Sequence, residues 1–444
     1  MASTSLTRTP SSNGNQKTWT LSCWIKRTGL GGTPTVIDGY YGNQSRYATI
    51  YFDSNNKFNV FSGLYSTGSS TSYLINYTTN RVFRDTSGWY HIVVAVDTTQ
   101  ATAGDRVKIY VNGVQETSFS TETQPAQNTD TYFNVTTSAM RMGVNGLDAV
   151  LSHVHWIDGT QYAASTFGST DSTTGEWKIN TSPSVTYGTN GFFIFKDSAS
   201  VTDQSGNSNN LTVSAGTLTN TEDCPSNVFC TLNTLNVQST GYTIANGNLS
   251  ITANTGGAFR TMYGTLGASS GKFYWEMKVT GTNGSDPMNM RFGIVDSEQM
   301  DQTNGTFHNE TRGYSYTGNS GNLQNGSNNN SYGNSYTTND IIGCAVDLDN
   351  SKLYFSKNGT WQNSGDPTSG STGTGAAATI ASGYTYLPAM ESYYTQDTYT
   401  YNFGNGFFGT TAISSEGTNA SGNGKFEYDV PTGYTALSTK GLNE

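Results

Sequence analysis

The chain has 444 residues, only 12% of them charged and 12% aromatic, with 51 glycines, 28 tyrosines and a formal net charge of −10. At roughly 150 residues per domain, that length gives two or three domains with sizeable cores. An average soluble protein is roughly 25% charged. The acidic balance leaves no basic stripe to neutralise phosphates, so binding to nucleic acid or to an anionic membrane is not expected.

Helix formers are scarce, and Thr, Tyr, Ser, Asn and Gly dominate, which favours short strands separated by polar turns. Residues 1–10 contain no apolar h-region, and nowhere do about 20 apolar residues run together, so a soluble protein without an export signal is expected. Four cysteines, Cys23, Cys224, Cys230 and Cys344, are too few to staple a chain of this size, and its cores must hold it together.

Lys17-Thr-Trp-Thr-Leu-Ser-Cys-Trp-Ile25 alternates, with Trp19, Leu21, Cys23 and Ile25 on one face and Thr20 and Ser22 on the other. This predicts a half-buried strand. Residues 47–52 and 57–61 read as a hairpin around Asp53-Ser-Asn-Asn56. The apolar stretch 89–97 precedes Val107-Lys-Ile-Tyr-Val111 and then Asn112-Gly113, a pair suited to the positive φ angles of a type I′ turn. The same order returns in residues 341–349, 352–355 and Asn358-Gly359. The flanking residues do not match, so this reads as shared sandwich grammar and not as a repeat.

Alternation is lost between residues 218 and 236, around Thr-Glu-Asp-Cys-Pro-Ser-Asn. The expected division is 1–222 for a first domain, 223–238 for a linker, 239–408 for a second domain and 409–444 for a C-terminal extension, with a last strand at 425–430. Residues 313–340 and 364–382 are long polar stretches, read either as display loops or as locally disordered segments.

The first domain resembles the laminin-G-like, concanavalin A-like jelly roll, through Trp89, His91, Asp97, the Tyr110 to Gly113 turn and His153-Val-His-Trp-Ile-Asp-Gly159. Trp156-Ile-Asp-Gly, Phe167-Gly168, Thr174-Gly-Glu-Trp177, Tyr187-Gly-Thr-Asn-Gly191 and Asp203-Gln-Ser-Gly-Asn-Ser-Asn-Asn210 resemble a block found in structural proteins of bacteriophages, marine ones especially. The second domain resembles a SPRY domain, through Gly271-Lys-Phe-Tyr-Trp-Glu276, Phe292-Gly-Ile294, Tyr332-Gly333, Asp340-Ile-Ile-Gly343, Asp347-Leu-Asp349, Asn358-Gly-Thr-Trp361 and Tyr401-Asn-Phe-Gly404.

These resemblances imply an all-β chain of two tandem antiparallel sandwiches, located on a virion surface as fibre, tail or capsid decoration and made in the host bacterial cytoplasm. The implied partners are other virion proteins, further copies of the chain (a trimer for a fibre) and a host-surface glycan or protein. A host-polysaccharide depolymerase and a decoration protein without a ligand are the rival readings.

No catalytic residue stands out. A glycosidase needs two carboxylates roughly 5 to 10 Å apart. Asp296 with Glu298, and Asp347 with Asp349, share strand faces but lie at strand ends, where a turn or solvated role is the simpler reading. His153 and His155 are spaced to share a face, as a two-histidine metal site would require, or simply as two polar strand residues. His91 sits in an apolar strand and reads as a core histidine.

No cofactor is expected, apart from calcium at the sandwich rim, a property that the laminin-G-like resemblance carries. Asp53 and Asn55 would offer oxygens, as would Asp97 and Asp105, although such turns also need none. Cys224 and Cys230 could pair or bind metal, but a reducing cytoplasm favours free thiols. In the Tyr-rich stretch, Tyr314 and Tyr336 are candidates for stacking on a sugar, and Asn319, Asn322, Asn325 and Asn328 for amide contacts.

Overall fold

In a computed structural model, which describes residues 4–41, 46–66, 69–235, 240–254, 256–282, 289–300 and 306–444, the chain forms two compact units, 1–220 and 221–444. No helix among the described residues is long and apolar enough to cross a membrane.

The first unit is a sandwich of two antiparallel sheets. One has eight strands, in the spatial order Phe119–Thr123, Ser69–Val82, Lys57–Ser66, Arg46–Phe52, Thr35–Tyr40, Ala139–Val144, Ser5–Arg8 and Thr212–Ala215. The other has six, in the order Phe192–Ile194, Ala149–Asp158, Thr18–Arg27, Tyr90–Asp97, Val107–Val111 and Val114–Gln115. Trp19, Leu21, Cys23 and Ile25 bury themselves in the core as their alternation predicts, against Ile37, Ile50, Phe58 and Ile75 of the opposite sheet.

Thr20 and Ser22 are buried as well, which corrects the half-buried reading of that strand. Residues 160–187 return over the outer face of the six-stranded sheet, where Ala164 and Phe167 meet Val93, Ala95 and Ile157 in a second apolar layer. Thr20 serves that cover: its hydroxyl donates to the Thr160 carbonyl at 2.7 Å and accepts the Tyr162 amide at 2.9 Å.

The second unit is also a sandwich. Its larger sheet runs Tyr242–Ala245, Ser250–Ala253, Thr398–Asn402, Lys272–Gly281, Ile341–Asp347, Lys352–Lys357 and Thr360–Trp361, with Ala378–Thr379 also paired to Lys352–Lys357. The smaller runs Arg260–Tyr263, Tyr386–Ser392, Met290–Asp296, Gly313–Thr317, Asn322–Asn325 and Asn328–Ser331. Trp275, Met277, Phe292, Ile294, Ile342, Cys344, Tyr399 and Tyr401 fill the space between them.

Three expectations change here. The segment read as a linker contributes Phe229, Cys230 and Leu232 to buried clusters, so from Asp223 to Leu235 it is built into this unit; residues 236–238 lie outside the described ones. The C-terminal residues are not an appendage either. Phe426, Val430, Tyr434 and Ala436 seal the outer face of the larger sheet over Tyr274 and Tyr354, and Thr435–Ala436 pairs in parallel with Phe273 and Tyr274, whereas no strand forms at 425–430. Widely spaced apolar residues in a Gly- and Ser-rich stretch carry no period, which hides such a cover from a periodicity argument.

Both Asn-Gly pairs form the left-handed turns their sequence demands, with φ of 47° and 80° at Asn112 and Gly113, and 48° and 76° at Asn358 and Gly359.

Candidate functional site

In the second unit, Gly313–Thr317, Asn322–Asn325 and Asn328–Ser331 form consecutive antiparallel strands where the sequence suggested a display loop. Gly326, at φ 55°, turns the last hairpin. The Asn325 side chain ties the turn end of this hairpin down by donating to the carbonyls of Thr311 at 2.9 Å and Gly313 at 2.8 Å. Asn328–Ser331 ends the sheet with all four residues exposed.

A cleft of about 210 Å³ opens between this edge and residues 377–379, lined by Tyr314, Leu323, Asn325, Asn328, Asn330, Ala377, Ala378 and Thr379. None of these eight side chains carries a charge. The lining combines an apolar floor with amides and a hydroxyl, which suits a neutral ligand presenting both C–H surface and hydroxyl or amide groups.

Three of the sequence candidates, Tyr314, Asn325 and Asn328, therefore lie together, but not in the roles proposed for the tyrosines. Tyr314 is 6% exposed and its hydroxyl accepts the Ala381 amide at 3.2 Å, so it supplies floor and not a stacking face. Tyr336 is not in the cleft. It is 2% exposed, donates to the Tyr316 carbonyl at 2.9 Å, and belongs to the core. Asn319 sits on an exposed turn outside the lining, and Asn322 donates to Asn329 at 2.9 Å along the hairpin. The sequence reading missed Leu323, Asn330 and residues 377–379, because the cleft joins segments about fifty residues apart that only the fold brings together.

The paired acids are each engaged by neighbouring groups. Asp296 is buried and held by Arg312, which reaches Glu298 at 3.1 Å and lies 4.1 Å from the Tyr384 ring centre. Asp347 is buried, pairs with Lys272 at 3.0 Å and accepts the Asn350 amide at 2.9 Å, while Asp349 accepts the Gly271 amide at 2.7 Å. Asp296, Asp347 and Asp349 are tied to strand ends, whereas Glu298 is an exposed partner of Arg312 in the turn that follows.

Both histidines pack on the Phe193 ring, His153 at 5.7 Å and His155 at 4.0 Å, across an irregularity in the backbone. His153 has φ 47°, and the ladder to the neighbouring strand slips so that Ser152 faces Trp24 and His155 faces Ser22. This bulge interrupts the regular alternation of the strand at the pair. His155 stacks on Phe193 at 4.0 Å and bonds the Tyr187 hydroxyl at 2.8 Å; His153 bonds Ser152 at 2.8 Å.

His91 lies between Trp24 and Trp177, 4.8 and 5.9 Å from their centres. The Trp177 indole can only donate, and it meets His91 Nδ1 at 2.9 Å, so Nδ1 is the unprotonated nitrogen and Nε2–H donates to Ser22 Oγ at 2.9 Å. Burial lowers the pKa of this ring to about 3.

The Asp53 carboxylate is occupied by its own turn, accepting the amides of Asn55 and Lys57 at 2.9 Å each. That arrangement is an Asx turn, which needs no calcium. Asp97 likewise accepts from Thr18, Thr99 and Gln100, and Asp105 pairs with Lys108 at 3.0 Å. Among the described residues no three His, Cys, Asp or Glu side chains gather as a metal site would require. No disulfide joins any of the four cysteines.

Comparison with known proteins agrees with this architecture. Residues 2–164 match the model of the concanavalin A-like lectin/glucanases superfamily, and residues 272–405 match the SPRY domain model. The chain thus carries a concanavalin A-like domain followed by a SPRY domain.

Among solved structures, the SPRY domain of human HERC1 is similar at 18% identity over 38% of this chain and 92% of that one, with a TM-score of 0.30. A human SPRY domain follows at 15% identity, covering 36% of this chain and 94% of that one at a TM-score of 0.27. The TRIM65 PSpry domain gives 12%, 39%, 91% and 0.28 in the same order. Comparison with curated proteins gave no match.

Proposed function

We propose that this protein is a non-enzymatic recognition protein of a bacteriophage particle, exposed on a fibre, tail or capsid exterior as a homo-oligomer, and that it attaches to a host-surface glycan through the cleft of its second unit. The observation that carries the reading is the cleft itself, with carboxamides of Asn325, Asn328 and Asn330 and the Thr379 hydroxyl set around an apolar floor and no charge in the lining. A neutral sugar presents the complementary groups. The particle setting is supported by the block from Trp156 to Asn210. The non-enzymatic reading is supported by the acid pairs, whose carboxylates are tied to Arg312, to Lys272 or to strand-end amides.

A glycan array probed with the full chain, read beside a reducing-end assay on every glycan bound, tests this. Binding without new reducing ends is the expected result, and Thr379→Arg, which puts a long cation into the cleft, should abolish it. Release of reducing ends would make the protein a depolymerase. Absence of binding to any glycan would leave plain decoration.

A further inference from the structure

The lining of the cleft in the second unit is directional. The Asn325 side-chain nitrogen has two hydrogens, and three carbonyls surround it, those of Glu310 at 3.5 Å, Thr311 at 2.9 Å and Gly313 at 2.8 Å. Turning the amide over would set its oxygen against those three oxygens. Asn325 therefore offers the cleft an acceptor and no donor.

On the facing wall, Thr379 is fixed in the opposite sense. Lys352, which stands outside the lining, donates from its ammonium to the Thr379 oxygen at 2.8 Å. An ammonium has only hydrogens to give, so the exposed Thr379 hydroxyl accepts there and keeps its own hydrogen for the cleft. Small apolar groups complete the lining between this donor and the Asn325 acceptor: the methyls of Ala377 and Ala378 and the side chain of Leu323.

The space is also small. At about 210 Å³ it falls below the roughly 300 Å³ at which pockets for drug-sized ligands begin, so it takes one sugar ring and not a chain segment. The side chains of Asn328 and Asn330 are exposed beside it and can present either end of their amides to ring hydroxyls.

We propose that the cleft selects a single N-acetylated amino sugar at a glycan end, its acetamido N–H donating to Asn325 Oδ1, its carbonyl accepting from the Thr379 hydroxyl and its methyl lying on Leu323, Ala377 and Ala378. A secondary amide carries a donor, an acceptor and a methyl in one rigid plane, which matches the fixed pair and the apolar groups of the lining. A plain hexose brings hydroxyls for either group but nothing to cover the methyls. A peptide bond has the same N–H and C=O but is flanked by chain on both sides, which a space of this size does not admit. This inference rests on the reading of the cleft as a glycan site and narrows it.

The test is a saturation-transfer NMR titration of the full chain with N-acetylglucosamine, N-acetylgalactosamine and N-acetylmannosamine, each beside its parent hexose, and with N-acetylalanine methylamide as a peptide control. At least one acetamido sugar should bind about ten-fold more tightly than its parent, two directed hydrogen bonds being gained, with its acetyl methyl receiving the strongest saturation. Thr379→Val, which removes the hydroxyl at nearly constant shape, should erase most of that advantage, and Thr379→Ser should restore it. Unchanged urea midpoints would show that the variants are folded. Equal binding of acetamido sugars and parent hexoses overturns the inference and leaves the cleft as a glycan site. An advantage that survives Thr379→Val overturns it as well, as does tighter binding of the peptide control. If none of these sugars binds, the inference falls, while the cleft reading is decided separately by the array.

Discussion

The two units close the outer face of one sheet with the same joint but place opposite chemistry beneath the cover. In the first, Asn112 ties its turn to the preceding strand through its amide to the His91 carbonyl at 2.8 Å and its side-chain oxygen from the His91 amide at 2.7 Å. In the second, Asn358 does the same with Ile341, at 2.8 Å in both directions. The following glycine then receives an aromatic ring of the cover: a Cβ on Gly113 would fall 2.3 Å from Trp177, and one on Gly359 2.6 Å from Tyr428.

Beneath the first cover the buried polar group is the neutral His91. Beneath the second it is Glu276, 0% exposed, whose carboxylate accepts the amides of Glu427 at 3.0 Å and Tyr428 at 2.9 Å, the Tyr274 hydroxyl at 3.1 Å and the Asn402 side chain at 3.1 Å. Burial pushes this carboxyl up to about 7 while the four donors pull it down. A sheet face can thus be sealed over a base or an acid, and the choice sets how each unit answers pH.

The comparison breaks most visibly at Glu276. Glu276→Gln turns one acceptor oxygen into a donor facing donors, and should cost the second unit about 3 kcal/mol, read as a lower urea midpoint for that unit with the first unit's midpoint unmoved. Equal shifts in both would contradict the separate covers.

Gly113→Ala and Gly359→Ala should each cost about 2 kcal/mol in their own unit, because a methyl group meets both a positive φ and the covering ring. If either is neutral, the cover does not rest on that turn.

Smaller, but of opposite sign in the two units, is the pH response. His91 has a folded pKa below its unfolded value, so its contribution is complete above about 6.5 and is lost as pH falls toward about 3. His155, also pushed down by burial, acts in the same direction. Glu276 is raised above the unfolded value of 4.5, so its contribution is complete below 4.5 and is lost as pH rises through about 7. Between these limits a rise in pH should strengthen the first unit and weaken the second, measured as separate midpoints in urea. Midpoints that move together would refute the assignment.

Much of this fold is legible in the sequence wherever neighbours along the chain decide the outcome. The alternation from Trp19 to Ile25 names the core face of its strand, and the two Asn-Gly pairs name their turns. What stays hidden depends on distant segments. Thr20 and Ser22 look solvent-facing because the cover that buries them arrives some 140 residues later. Tyr314 and Tyr336 look like display residues, yet both turn inward beside Tyr316 and Tyr332, and the four hydroxyls are provided for by the backbone of Ala381, Tyr316, Asn334 and Phe355. Asn325 and Asn328 of the cleft could be named individually from composition, but Asn330 and the wall formed by residues 377–379 could not.

The claim that the uncharged cleft is the recognition site is tested most directly by titrating the full chain with its best array glycan and following the side-chain amide resonances of Asn325, Asn328 and Asn330 by NMR. The account expects those three to shift with a common saturation curve that disappears in Thr379→Arg. Glycan binding that leaves all three unmoved would contradict it.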